Sequence, residues 1–221
     1  MKVGTDAMIL GAIVTVDDKI SALDIGTGTG ILSLMLAQKS KNLKIIALEI
    51  DQQTSEEAFL NIQNAPFKNQ IEVININFFD FNPNTKFDLI ISNPPFFEKS
   101  LKSSDEQKNL ARHADILPLL PLVLKVEQIL DDKGDFWIIL PVETADNLIS
   151  EIEKQKSIKI YLKLKKEISI FGKPNQMIRK IVCLSKFVEG VEKMNLTIRD
   201  KNGHYTQEYK KLTENYHGKK L

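Results

Sequence analysis

Apolar and polar positions along the chain alternate in blocks that suit strands and helices in turn. Val14–Lys19 is polar and turn-like, and Ile20–Ile25 is a short apolar run ending in a glycine-rich turn, the pattern of a buried strand. Ile31–Gln38 carries helix formers without a break, and Leu43–Ile50 reads as a second strand. Gln52–Asn64 predicts a helix with Ala58, Phe59 and Ile62 on one face, stopped by Pro66. Ile71–Ile76 and Phe87–Ser92 predict two more strands. Pro118 and Pro121 mark the start of a helix that runs to about Leu130. Asp132-Lys133-Gly134 reads as a turn, Phe136–Leu140 as a fifth strand and Val142–Lys154 as a helix. Ile158–Ile170 and Met177–Phe187 are long β-rich runs joined by Phe171-Gly172-Lys173-Pro174-Asn175, a hairpin pattern.

Strands alternating with helices, then a terminal hairpin, imply an α/β fold with a mostly parallel, doubly wound sheet and an antiparallel edge. The chain has no internal repeat and no low-complexity segment. Glu98–Asp115 is the one long irregular stretch, and a loop of that length in a compact domain is expected to be functional or disordered.

With 221 residues, residues 1–221 are expected to form a single domain, and 43% hydrophobic content allows a sizeable core. No apolar run approaches the ~20 residues of a membrane span, and Met1–Gly11 lacks the regions of a signal peptide. One cysteine, Cys183, excludes an internal disulfide and a cysteine-based zinc cluster. The three histidines show no ligand spacing, so no metal is expected, and a reducing cytoplasm suits the composition. Net charge is +1, from 30 basic and 29 acidic residues, which leaves room for a local basic patch. Lys154–Lys186 is such a stretch, rich in Lys and Arg with Glu167 its one acid; it fits either a solvated face or a nucleic-acid grip.

Leu23-Asp24-Ile25-Gly26-Thr27-Gly28-Thr29-Gly30 closes the first strand and opens a helix. Glycines allow backbone to approach a ligand, and a helix start offers unpaired N–H groups. A dinucleotide fingerprint spaces its glycines G-x-G-x-x-G, whereas here Ile31 stands in the third glycine's place. Asp24 lies two positions before the glycines, where a carboxylate would repel pyrophosphate but welcome an ammonium group. The pattern therefore favours a cofactor with an aminocarboxypropyl tail. Glu49, with Asp51 as the alternative, ends strand two roughly 20 residues past the glycines, where an acid can accept both hydroxyls of a ribose.

Strand four runs into Asn93-Pro94-Pro95-Phe96-Phe97. Ligands in such sheets bind beyond the carboxyl ends of the strands, so this turn should face the reactive end of the cofactor. Two prolines restrict the backbone. A prolyl carbonyl and the Asn93 side-chain oxygen can accept both hydrogens of one planar NH2, which leaves its electron density pointing at a methyl donor. Such chemistry needs positioning and charge stabilisation rather than a strong base. Phe96 would stack on a flipped base. Cys183 and Trp137 sit in apolar strand runs and read as core. Arg112 and His113 could touch phosphate or anchor the long loop, and Lys219-Lys220 reads as a solvated terminal pair.

These motifs resemble the N6-adenine and N5-glutamine methyltransferases, which share (D/N)-P-P-(Y/F). More narrowly, the chain resembles the bacterial tRNA(Val) adenine-N6 methyltransferases, which modify the adenosine at position 37. Met1-Lys2-Val3-Gly4-Thr5-Asp6-Ala7, Ile90–Phe97, Ala111-Arg112-His113 and Tyr205-Thr206-Gln207-Glu208-Tyr209 with Leu212-Thr213 carry the resemblance, which therefore spans the chain. It implies a Rossmann-like class I methyltransferase fold with a seven-stranded sheet, S-adenosylmethionine as cofactor and the anticodon loop of tRNA as partner, with a monomer expected. It further implies Asn93, Pro94, Pro95 and Phe96 at the reacting amine. Thr5, Asp6, Asp24, Gly26, Thr27, Gly28, Gly30, Glu49, Ile50, Asn77 and Phe78 would surround the cofactor, with Thr5 and Asp6 closing over it. Three departures stand out. Family members usually carry a short segment before M-K-V-G-T-D, so part of the substrate-side wall is expected to be missing here or to precede an internal start. The acid expected after strand three is Asn77, with Asp80 a less suitable substitute. Phe96 replaces the commoner Tyr, which keeps stacking and drops a hydroxyl.

The competing activities are a protein glutamine-N5 methyltransferase, since an amide NH2 needs the same two acceptors, and adenine-N6 methylation of ribosomal RNA. The extra N-terminal helical domain usual in the glutamine enzymes has no room in this chain, and neither has a DNA-recognition domain. A non-catalytic RNA-binding protein on the same fold would not be expected to keep Asn93-Pro94-Pro95-Phe96 intact.

Overall fold

A computed structural model describes residues 4–94, 119–154 and 160–216. Eight strands form one sheet in the order β3-β2-β1-β4-β5-β7-β6-β8. They are β1 Ser21–Ile25, β2 Lys44–Glu49, β3 Ile71–Asn75, β4 Phe87–Ser92, β5 Leu130–Leu140, β6 Lys163–Lys173, β7 Gln176–Ser185 and β8 Glu192–Thr197. Only β7 runs against the others, antiparallel to β5 on one side and β6 on the other. The expected mostly parallel sheet with its hairpin is present. An eighth strand, β8, joins the seven expected and pairs parallel to β6, so the hairpin is not the outermost element. Its sequence, Glu192-Lys193-Met194-Asn195-Leu196-Thr197, has little apolar alternation because the first four residues are exposed at the edge.

Helices α1 Thr5–Ile13, α2 Ile31–Lys39, α3 Gln52–Gln63, α4 Leu119–Ile129, α5 Val142–Lys154 and α6 Gln207–Thr213 cover the sheet. Neighbouring strand residues point to opposite faces, and two cores result. Ala22, Leu89, Ile91, Trp137 and Cys183 pack beneath α1 and α2. Leu23, Ile90, Phe136 and Ile138 pack beneath α4 and α5. Coverage of both faces explains why the strands read as continuous apolar runs. Trp137 and Cys183 are core residues, as their surroundings in the sequence suggested.

Helix α1 is not visible as an amphipathic stripe, because its apolar residues are spread around the helix. Ile9 and Leu10 are fully buried, each worth ~1.5–3 kcal/mol of burial. Gly11 lets α1 lie close on α2: a Cβ there would come within 2.6 Å of Met35 Sδ. Lys39 of α2 donates through Nζ to the carbonyls of Ala12 (2.9 Å) and Val14 (2.5 Å), closing the far end of α1.

Two expectations change in detail. Asp132-Lys133-Gly134 lies within β5 rather than between elements. Register slips from Phe87↔Leu130 to Leu89↔Asp135, so the turn is an excursion of the strand, held by Lys133 N donating to Asp131 Oδ1. Phe59 leaves the buried face of α3: Ala58 and Ile62 are buried one turn apart, while Phe59, ~100° round the helix, is 50% exposed.

Candidate active site

Strand register lines up the carboxyl ends of the central strands. Ile25 of β1 pairs with Leu48 of β2 and with Ser92 of β4, and Ser92 pairs with Ile138 of β5. The next residues along, Gly26, Glu49 and Asn93, therefore leave three adjacent strands at one level. Strand spacing is ~4.8 Å, so Glu49 and Asn93 flank the glycine turn with ~10 Å between their strands. The chain turns one way after β1, toward β2, and the other way after β4, toward β5. A crevice opens where such connections diverge.

The glycine turn is anchored by Asp24. Its Oδ2 accepts from Thr27 Oγ1 at 2.6 Å, Ser33 Oγ at 2.8 Å and Ser33 N at 3.2 Å. Thr27 N also donates to Leu48 O at 2.9 Å, tying the turn to β2. Gly26, Gly28 and Gly30 have φ of 70°, 58° and 85°, a region other residues enter only with strain. At Gly26 a Cβ would meet nothing within 4 Å, so the backbone there borders open space.

Asp24 has no exposed surface, and its Oδ1 is buried without a hydrogen-bond partner among the described residues. Burial pushes its carboxyl up to about 6, against the lowering effect of the Thr27 and Ser33 hydrogen bonds. An incompletely satisfied buried carboxylate suits a cationic ligand group, as an aminocarboxypropyl tail provides.

Glu49 is half-buried and faces the turn. Its Oε2 accepts from Gly28 N at 2.9 Å and its Oε1 from Asp51 N at 3.1 Å. Each carboxylate oxygen keeps a second lone pair, so two further donors can be received. Asp51 serves the helix instead: its Oδ1 caps α3 by accepting from Thr54 N (2.8 Å) and Thr54 Oγ1 (2.7 Å). Ile50 is 66% exposed at the same rim. Asn77 caps a short 3₁₀ turn over Phe78–Asp80, its Oδ1 accepting from Phe79 N at 2.9 Å. The Phe78 ring is buried and packs near Phe79 and the Lys125 ammonium, so any ligand contact falls to its backbone. Asp80 is exposed.

Asn93 is half-buried and Pro94 buried at the end of β4. Ser92 Oγ donates to Ile25 O at 3.0 Å and holds that end against β1. Pro95, Phe96, Arg112, His113 and the stretch Glu98–Asp115 lie outside the described residues, as do Lys219 and Lys220. Thr5 and Asp6 start α1 at the same edge of the sheet. Asp6 Oδ2 accepts from Arg179 Nε of β7 at 2.8 Å, and Arg179 stands beside Lys180, the partner of Leu140 at the carboxyl end of β5.

Sequence reading did not single out Ser33, Ser92 or Arg179. Ser33 and Ser92 each break or end an apolar run, the mark of a buried hydroxyl with a fixed partner. Arg179 has no such local mark, since its partner is 173 residues away. Among the described residues, four lysines of the basic stretch are paired: Lys165 with Asp135, Lys166 with Glu192, Lys180 with Asp146 and Glu167, and Lys186 with Asp132. Lys163 and Lys165 also begin β6, roughly 30 Å from Lys173 at its other end. They lie on the edge of the sheet opposite the glycine turn, which removes them from the grip expected of that stretch.

Among the described residues no group of three or more His, Cys, Asp or Glu is placed to hold a metal, and no helix is long and apolar enough to cross a membrane. Residues 3–143 match the methyltransferase small domain family. The tRNA1(Val) (adenine(37)-N6)-methyltransferase of Bacteroides thetaiotaomicron is 37% identical over 219 residues, 98% of this chain and 90% of that protein. The protein of the same name from Pedobacter heparinus is 37% identical over 218 residues, 98% of this chain and 91% of its own. In structure, a protein from Agrobacterium tumefaciens described as a predicted O-methyltransferase superposes with a TM-score of 0.68 at 18% identity, covering 95% of this chain and 96% of that one. By the family match over residues 3–143 the chain belongs to the methyltransferase small domain family, with S-adenosylmethionine as its cofactor.

Proposed function

We infer that this chain methylates N6 of an adenine in tRNA, and that the target is adenosine 37 in the anticodon loop of tRNA(Val). The near full-length relationship to enzymes of that name is the observation that carries the reading. The placement of Asn93-Pro94 one strand from the glycine turn supports the chemistry.

The cofactor supplies an electrophilic methyl group on a sulfonium when bound. The chain's own residues hold and orient the two reactants. Asp24 would balance the charge of the ammonium group, and Glu49 would hold ribose hydroxyls while keeping Gly28 in place. Thr27 takes part through its anchoring of the turn. Ile50 would lie on the side of the cofactor's adenine, with Asn77 and the Phe78 backbone as the groups that would meet its polar edge. Asn93 and the prolyl carbonyl beside it accept the target NH2 hydrogens, and Phe96 stacks on the base. No residue needs to take a proton before transfer, because positioning lowers the barrier.

A loop base is unstacked at low cost, which favours single-stranded RNA over duplex. The backbone grip belongs at the edge that carries the glycine turn, where the β6–β7 hairpin tip presents exposed Lys173. The protein acts in the cytoplasm as a monomer and as one domain. The test offers labelled S-adenosylmethionine with tRNA, ribosomal RNA, duplex DNA and release-factor protein in parallel. Label is expected in N6-methyladenosine of tRNA(Val). Label in protein glutamine would move the chain to the N5 branch, and label in ribosomal RNA would change the target but keep the chemistry.

A further inference from the structure

Among the described residues, the first turn of α1 packs Ala7 into the core and makes one side-chain hydrogen bond across to the sheet. Gly4 occupies the N-cap and offers no capping side chain. Asp6, in the first turn, instead accepts from Arg179 Nε at 2.8 Å. Arg179 Nη1 donates to Ile178 O at 2.9 Å, which fixes the guanidinium along its own strand. The two side chains are 25% and 21% exposed. The contact therefore ties the helix that begins at the cofactor edge to the hairpin on the substrate side of the same edge.

Ile9 and Leu10 are fully buried, Gly11 seats α1 on α2, and Lys39 closes its far end. The helix is thus kept in the fold without Arg179, and a partly exposed ion pair adds little to global stability. What the pair can set is the position of one turn, Thr5 and Asp6, at the mouth of the crevice. Helix α6 adds to this arrangement by packing on α1. Its N-cap Thr206 accepts from Tyr209 N at 3.2 Å, and Tyr209 stacks on Tyr205 beneath the Arg199 guanidinium. The terminal Tyr205–Tyr209 motif so lies in the core cluster that α1 also enters.

We propose that Arg179 is a positioning residue for methyl transfer, acting through Asp6 to hold the first turn of α1 over the bound cofactor. The proposal rests on the reading of this edge as the cofactor site, and not on which nucleotide is methylated. Its test is calorimetry with S-adenosylhomocysteine, in the absence of RNA, on wild type, Arg179→Ala, Asp6→Asn and the double variant. Arg179→Ala should weaken binding by about fivefold or more, the lower range of coupling between linked sites, while the melting temperature stays close to that of wild type. The double variant should bind no more weakly than Asp6→Asn alone, since Arg179 acts through that residue. Arg179→Lys, which keeps the charge without the planar fork, should fall between wild type and Arg179→Ala. Unchanged affinity in Arg179→Ala, or effects of the two single variants that simply add, would overturn the proposal. A wild-type enzyme that binds S-adenosylhomocysteine but fails to label tRNA would count against the substrate assignment alone.

Discussion

Replacing Asp24 by Asn separates the two tasks of that carboxylate. In the ligand-free protein burial wins over the hydrogen bonds from Thr27 and Ser33, and the carboxyl titrates near 6 instead of 3.8. A displacement of about two pH units corresponds to ~3 kcal/mol in favour of the neutral form. The folded chain holds this proton more tightly than the unfolded chain does. The associated stability is complete below about pH 3.8 and is lost as pH rises through about 6. Above that, the ligand-free protein bears the cost of a buried charge with one oxygen unfilled. Asparagine carries no charge, so Asp24→Asn should melt several degrees above wild type at pH 8, at ~2–4 °C per kcal/mol for a chain of this length. The gap should close near pH 4, where wild type is also neutral.

Cofactor affinity should move the other way. Loss of a charge-assisted contact costs ~1.5–3 kcal/mol, or about tenfold to a hundredfold in Kd. In wild type the ionised fraction falls from ~0.9 at pH 7 to ~0.1 at pH 5, so affinity should weaken about five- to tenfold over that range. The variant should show no such slope. Thermal melts from pH 4 to 8 and calorimetry with S-adenosylhomocysteine read both effects. An Asp24→Asn protein that melts below wild type at pH 8 and still binds with wild-type affinity would show that the carboxylate is a loop anchor and no more.

Glu49→Ala should weaken S-adenosylhomocysteine binding by about tenfold to a hundredfold in calorimetry, through lost charge-assisted contacts and a loosened Gly28. Asn93→Ala should leave that affinity nearly intact and lower single-turnover methylation by ~10²–10³-fold; near-normal turnover would make the Asn-Pro-Pro turn structural. Lys173→Glu should weaken tRNA binding and flatten its salt dependence, while Lys165→Glu should leave RNA binding unchanged; the reverse order in a filter-binding titration would place the RNA on the opposite edge.

The five central strands were legible because burial on both faces leaves unbroken apolar runs between turn residues, as in Phe87–Ser92. Helix α1 was not, since apolar side chains around its circumference give no 3.6-residue stripe. Strand β8 escaped because its first four residues face solvent. At the candidate site, the grouping of the glycine turn with Asp24 and Glu49 was readable from local order, and the structure brings those residues together. The division of labour between Glu49 and Asp51 was not, because a helix cap and a ligand contact call for the same residue type. Arg179 illustrates the harder limit. Its meaning lies in a partner at the other end of the chain, brought near only when β7 inserts between β5 and β6.

Cys183 lies inside the sheet on β7, opposite Trp137 on β5, with no exposed surface and a thiol pushed well above its usual range by burial. A thiol in that state does not form the nucleophilic thiolate. The natural protein is therefore a silent background for maleimide chemistry. A cysteine introduced at exposed Lys173 could carry a fluorophore or spin label without first removing the native one. Paired with a second label on α3, it would report the separation of hairpin and helix as ligand is added, in a protein whose core had not been disturbed to make the measurement.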